Sequence, residues 1–175
     1  MGTSIGRAID YLVTGTATLA PADSDVLGKT LGQLLTAVAS NAILADNAAD
    51  TESEAMVLIG RKDVLSGETA QGSQSVIVLG AGRSEEDYVI PCCILVYADG
   101  PLQKPSRDIA LGLFDAVAHF VAADRTFGGV LTNGRYAQIE QVLLQQTEDI
   151  ADTKGGAMRL AYLTFDIHCA NLYTP

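Results

Sequence analysis

The sequence predicts an α+β fold: a mixed, largely antiparallel sheet of five or six strands, with two or three helices packed on one face. Three observations carry this. In Met158–Ala170, Ala161, Leu163, Phe165, Ile167 and Cys169 alternate with Tyr162, Thr164, Asp166 and His168, the period-two pattern of a strand with one buried face. Tyr88–Tyr97 is apolar on both faces, as expected of a strand covered on both sides. The stretch that follows carries Ile109, Leu113, Ala116, Val117, Phe120 and Val121 at helical spacing, and so supplies one of those covers.

Along the chain, Ile5, Ala8, Ile9, Leu12 and Val13 have helical spacing behind Ser4 as N-cap, which predicts a first helix over Ser4–Thr16. A polar connection from Thr18 to Lys29 leads to Leu31, Leu34, Leu35 and Val38, a short second helix weakened by Gly28 and Gly32. Asn41–Asp46 is a candidate short strand, and an acidic loop runs from Asp46 through Glu54. Met56–Gly60 reads as a buried strand. A long flexible loop or hairpin is expected at about 61–75, because Leu65–Ser75 is rich in Gly, Ser, Gln and Thr without periodicity. Ser75–Leu79 and Tyr88–Tyr97 then read as consecutive strands around a polar turn, Gly80–Asp87. After the long helix, Asp124–Gly129 is a turn in which Gly128 and Gly129 can supply positive φ. Tyr136–Gln145 is the next strand, and Lys154-Gly155-Gly156 turns the chain into the last one. The strands are mostly adjacent in sequence. There are no internal repeats and no low-complexity tract.

Size and composition bound the rest. A chain of 175 residues fits one domain. A domain of this size buries roughly 70% of the surface its unfolded chain exposes, so it needs no staples to fold. Hydrophobic residues make up 48%, which argues against global disorder. No run approaches the roughly 18 apolar residues of a membrane span. The start, MGTSIGRAIDYLV, is amphipathic and contains Asp10, which is not the pattern of a secretion signal. Cys92, Cys93 and Cys169 read as small core hydrophobes in a reducing compartment. His119 and His168 have no ligand partners at useful spacing, so no metal is expected. The net charge of −10 argues against tight binding to nucleic-acid phosphates, which needs clustered Lys and Arg.

The motifs that suggest chemistry are better explained by structure. Gly80-Ala-Gly82 follows an apolar strand like a dinucleotide loop, but Glu85 stands where the third glycine belongs. Glu86 and Asp87 would repel phosphate, and a strand follows, not a helix. Glu85, Glu86 and Asp87 could pose as paired carboxylates, yet a run of three acids in a turn is expected to be solvated, not shifted by burial. Neither histidine accompanies a nucleophile: there is no GxSxG, and Cys92 and Cys93 belong to a buried strand. Arg83, Arg107, Arg125, Arg135 and Arg159 are scattered among acids, as salt bridges across a subunit interface would be. The chain is therefore not expected to be an enzyme or to carry a cofactor.

The ordered features between Glu85 and the C-terminus resemble a known family. Glu86-Asp87-Tyr88-Val89-Ile90-Pro91-Cys92 matches an acidic turn followed by an aromatic-x-Ile-Pro-Cys strand. Ala110-Leu111-Gly112-Leu113-Phe114-Asp115-Ala116-Val117 matches a helix of the type ALLDAV. Ala123-Asp124-Arg125-Thr126-Phe127-Gly128-Gly129 matches ADPTLGG, with Arg125 in place of the proline. Gln145-Gln146-Thr147 and Gly156-Ala157-Met158-Arg159-Leu160 match a Gln-rich strand and a Gly-Ala turn into an alternating final strand. In this order and spacing the chain resembles the tail terminator (head–tail joining) proteins of long, non-contractile-tailed phages, actinobacteriophage type. The likeness runs from about Met56 to the C-terminus, plus the first helix by position, and Gly15–Leu44 matches poorly.

The resemblance implies a structural virion protein of the neck: a homo-oligomeric ring, a hexamer, capping the head-proximal end of the tail tube. One face would meet the major tail (tube) protein and stop its polymerisation, and the other would meet the head-completion connector. Genomic DNA would pass through the axial channel without specific binding. Assembly would take place in the host cytoplasm, with no membrane involved. Candidate contacts are Asp46, Asp50, Glu52 and Glu54 of the acidic segment, Gly67, Glu68 and Gln71 of the long loop, and Arg83, Glu85, Glu86 and Asp87 of the polar turn. Two other readings stay open at this point. One is another neck component, such as a head-completion or connector protein. The other is a small α/β enzyme or ligand-binding domain using a cleft near Gly80–Asp87.

Overall fold

A computed structural model of the chain describes residues 4–17, 55–60, 71–78, 83–99, 104–132, 136–151 and 157–173. In chain order these form α1 (Ile5–Ala17), β1 (Ala55–Ile59), β2 (Gln71–Val78), β3 (Arg83–Asp99), α2 (Lys104–Ala123), β4 (Ala137–Ala151) and β5 (Ala157–Tyr173). The class is α+β, with one antiparallel sheet and two helices among the described residues.

The sheet is built around β3. β5 pairs along nearly all of it, from Ser84 to Asp99. On the other side β2 takes the first half, Arg83–Val89, and β1 takes Cys92–Val96. β4 lies outside β5, giving the order β1-β3-β5-β4 with β2 also on β3. The sheet has five strands among the described residues, and because β1 and β2 share one side of β3 it is four strands wide. Among the described residues every pairing is antiparallel, so the described sheet is not mixed.

The core follows from the alternation. On one face Tyr88, Ile90, Cys92, Ile94 and Val96 of β3 stand opposite Cys169, Ile167, Phe165, Leu163 and Ala161 of β5, and all ten are buried. Helix α2 covers this face with Ala110, Leu113, Val117 and Val121, spaced to lie along one stripe. Phe114 meets Phe165 edge-on, with ring centroids 5.2 Å apart. Helix α1 contributes buried Ala8 and Leu12, and its Tyr11 stacks on Phe120 of α2 at 5.4 Å. Each buried Val, Leu, Ile or Phe among these contributes about 1.5–3 kcal/mol.

The opposite face is also covered in the middle of β3, where Cys93 and Leu95 are buried, as is Leu58 of β1 opposite Cys93. This agrees with a strand apolar on both faces. Asp166, expected on the polar face, is buried at 8% exposure for the same reason: it stands beside Pro91, itself buried, at the centre of the sheet.

Several boundaries move. The stretch Gln71–Ser75, expected in the flexible loop, is the first part of β2 and pairs with Glu85–Val89. The polar turn expected over Gly80–Asp87 is shorter, since β3 already begins at Arg83. β4 and β5 extend to 15 and 17 residues. The second helix near Leu31–Val38, the strand at Asn41–Asp46 and the turn at Lys154-Gly155-Gly156 lie outside the described residues.

Cys92, Cys93 and Cys169 are free and buried. Burial raises the Cys92 thiol above its usual range and pushes the Cys169 thiol up to about 12, which holds both in the unreactive protonated form at neutral pH. Among the described residues no helix is long and apolar enough to cross a membrane, and no three His, Cys, Asp or Glu are grouped to hold a metal ion.

Candidate functional site

The acidic run Glu85-Glu86-Asp87 is not a solvated turn. All three residues lie in β3, paired with β2 on one side and β5 on the other. Strand alternation therefore splits them. Glu86 shares the helix face with Tyr88 and is buried at 4% exposure, while Glu85 is half-buried and Asp87 exposed. Glu86 Oε2 accepts the Ser4 N–H at 3.0 Å and the Ser4 hydroxyl at 2.6 Å. Ser4 heads helix α1, where its carbonyl accepts the Ala8 N–H at 2.9 Å. The carboxylate thus satisfies a first-turn donor and sits at the positive end of the helix dipole. The Ser4 hydroxyl also lies 3.0 Å from the Tyr88 hydroxyl, whose ionisation burial pushes far above the usual phenol range. As a buried anchor for α1, Glu86 is withdrawn from the candidate contacts.

Asp87 faces the other side. Its Oδ1 lies 2.6 Å from His168 Nε2, and the other ring nitrogen of His168 lies 3.9 Å from Glu140 Oε1 of β4. Gln138 hydrogen-bonds Glu140. The result is a polar row across β3, β5 and β4, in which His168 is held between two carboxylates. His119 stands apart on the exposed side of α2, with Nδ1 2.8 Å from the Asp115 carbonyl.

The segment Asp124–Gly129 is a knot of hydrogen bonds that ties α2 to α1 and β4. Asp124 Oδ1 accepts from the Thr126 N–H (3.0 Å) and hydroxyl (2.6 Å), and Oδ2 accepts from the Gly128 N–H (2.7 Å) and the Tyr11 hydroxyl (2.9 Å). Phe127 is fully buried and stacks on Tyr11 at 5.4 Å. To put that ring inward the backbone takes positive φ three times running, 54° at Phe127, 65° at Gly128 and 82° at Gly129. The two glycines make this affordable, and a Cβ at Gly128 would also meet Tyr11 at 3.1 Å. The Ala137 N–H, at the start of β4, closes on the Arg125 carbonyl at 2.8 Å.

The Thr126 hydroxyl first, then the Gly128 N–H, Tyr11 hydroxyl and Thr126 N–H, hold Asp124 down to about 2 from 3.8. The folded-state value is depressed, so the stabilisation is present above the unfolded value near 4 and is lost as pH falls from about 4 to about 2. Allowing for solvent around this half-buried group, it is worth about 1–2 kcal/mol. Asp124→Asn is expected to be less stable than the parent by that amount at pH 6, with the gap closing near pH 2. Urea titrations at several pH values check this, and a gap independent of pH would contradict it.

Of the other candidate contacts, Asp46, Asp50, Glu52, Glu54, Gly67 and Glu68 lie outside the described residues. Gln71 begins β2 and Arg83 begins β3, so both are strand residues, not loop residues. Of the scattered arginines, Arg107 pairs with its own neighbour Asp108 at 3.0 Å, and Arg125 lies 5.9 Å from the ring of Tyr136.

Two features went unread in the sequence. Val142 and Leu143 of β4 are half exposed, at 50% and 53%. Beside them β4 is interrupted by a bulge, where the register passes from Glu140↔Asp166 to Leu143↔Thr164 and Gln141 takes φ 53°. The adjacent apolar pair was a possible signal; the bulge has none, because no glycine marks it. At the far end of the sheet, Asn171 is buried with its carbonyl accepting the Thr132 N–H at 2.9 Å, while its amide nitrogen has no hydrogen-bond partner.

No protein-family model matches the chain, and no curated protein matches it.

Proposed function

We propose that this chain is a structural protein of a phage tail: a terminator that assembles into a ring of identical copies at the head-proximal end of the tail tube, ends tube growth and joins tail to head connector. The observation that carries the reading is the run Glu85–Gly129, whose motifs occur in the family's order and each serve the scaffold. Its acid anchors a helix, its Ile-Pro-Cys strand is core, and its Asp-Gly-Gly turn ties two helices to β4. Motifs of this kind hold a framework in place and leave recognition to loops and edges.

The charge balance supports the same reading. Copies each carrying −10 give the ring a net negative charge, and acids lining its axial channel would let DNA pass without adhering. The location proposed is the virion neck, and the partners are other copies of the chain, tube protein and connector.

The test is polymerisation. Purified chain added to assembling tube protein is expected to shorten tubes and bind one end only, read by electron microscopy. Unchanged tube lengths with no end-bound density would overturn the terminator role.

A further inference from the structure

We propose that the outer edge of β4 in one copy pairs with the β1–β2 edge of the next, an inference that rests on the ring reading and assigns its contact surface. Among the described residues β4 ends the sheet on one side, and β1 with β2 ends it on the other. Proteins ordinarily guard sheet edges with charge, proline or short strands, because an edge templates pairing with another chain.

Along β1, β2 and the middle of β4 the charge guard is absent. β4 is 15 residues long, and its stretch Gln141–Thr147 (QVLLQQT) contains no charged residue. Neither does β1 (AMVLI) nor β2 (QGSQSVIV). In a chain of −10 these stretches are thus free of acids, which on β4 stand only at either end of the stretch, at Glu140 and at Glu148–Asp149. They match as neutral surfaces, which points to a second copy more than to a basic partner, for which the acids would be the natural contacts.

The bulge marks where the contact falls. Gln141 occupies a left-handed conformation that disfavours side chains, and next to it Val142 and Leu143 are half exposed. Bulges at sheet edges re-aim side chains, and backbone strain persists where a site uses it. The two edges lie on opposite sides of the sheet, so pairing one with the other is heterologous. Such contacts close into a ring when the rotation closes, whereas β4 against β4 would stop at two copies.

The test is native mass spectrometry on wild type and Val142→Glu/Leu143→Glu, with Leu143→Glu alone as the second variant if the pair perturbs the far-UV circular dichroism. Wild-type rings are expected, with association at least about tenfold weaker in the variants. Rings that persist in well-folded variants overturn the edge and leave the ring reading standing. Wild-type open chains or dimers that the variants abolish remove the ring and keep the edge, and a monomeric wild type removes both. Mixing the double variant with Ser75→Glu, blocked on β2, is expected to give pairs of one copy each. Homodimers of Ser75→Glu alone would mean β4 pairs with itself, and would overturn the head-to-tail contact.

Discussion

Phe165→Asp is expected to abolish folding. Phe165 sits at the centre of β5, 1% exposed, opposite Cys92 and edge-on to Phe114 of α2. Removing the ring costs about 3–5 kcal/mol. A carboxylate there has no partner, which adds several kcal/mol more. The sum meets or exceeds the roughly 5–15 kcal/mol that holds a domain of this kind together. Circular dichroism and one-dimensional proton NMR of the variant should show loss of the sheet signal and of shifted methyl resonances. Phe165→Leu, which keeps an apolar side chain, should fold with a loss of about 1–2 kcal/mol. A cooperative thermal transition of Phe165→Asp within a few degrees of wild type would contradict this account of the core.

Glu86→Ala is expected to lower stability by about 2–4 kcal/mol and to loosen α1. The change leaves the Ser4 N–H and hydroxyl without their carboxylate acceptor inside a closed site, at about 1–3 kcal/mol for a buried unsatisfied group. It also removes the negative charge at the helix N-terminus, worth about 0.3–1 kcal/mol or more when buried. Glu86→Gln keeps an acceptor oxygen and should lose about half as much. Hydrogen exchange separates the local effect from the global one, since amides of the first turn of α1 should lose protection before those of β3. If Glu86→Ala matched wild type within about 0.5 kcal/mol, the acid would be solvated after all.

The difference between the expected and observed role of this acid shows where the sequence is readable. β5 and α2 were legible because their apolar residues repeat with the period of the element, and burial follows the repeat directly. The Asp124–Gly129 turn was legible from its two glycines. The run Glu85-Glu86-Asp87 was misread because composition dominated over phase. The phase was present, since Glu86, Tyr88, Ile90 and Cys92 continue one alternating row, but a charged residue joins a buried row only when a donor awaits it. That donor is Ser4, 82 positions away. The first residues of β2 were hidden for a related reason: Gln71-Gly72-Ser73-Gln74 has no strand propensity, and its conformation is imposed by pairing with Glu86–Val89.

The site reading divides in the same way. Of the residues expected to make contacts because they are charged, Arg83, Glu85, Glu86 and Asp87 proved to be strand residues, and Glu86 is core. The exposed apolar pair Val142–Leu143 was passed over because it lies inside an otherwise regular strand, and only the bulge beside it distinguishes it from core. Uncharged stretches along strands are equally hard to notice in a sequence, where the acids draw attention. Their significance comes from topology, which sets them on opposite sides of one sheet.

The most direct measurement is electron microscopy of the purified chain, with two-dimensional class averages of single particles. The account predicts closed rings of identical copies around an axial opening. Uniform monomers at micromolar concentration, with no ring even when tube protein is present, would contradict it.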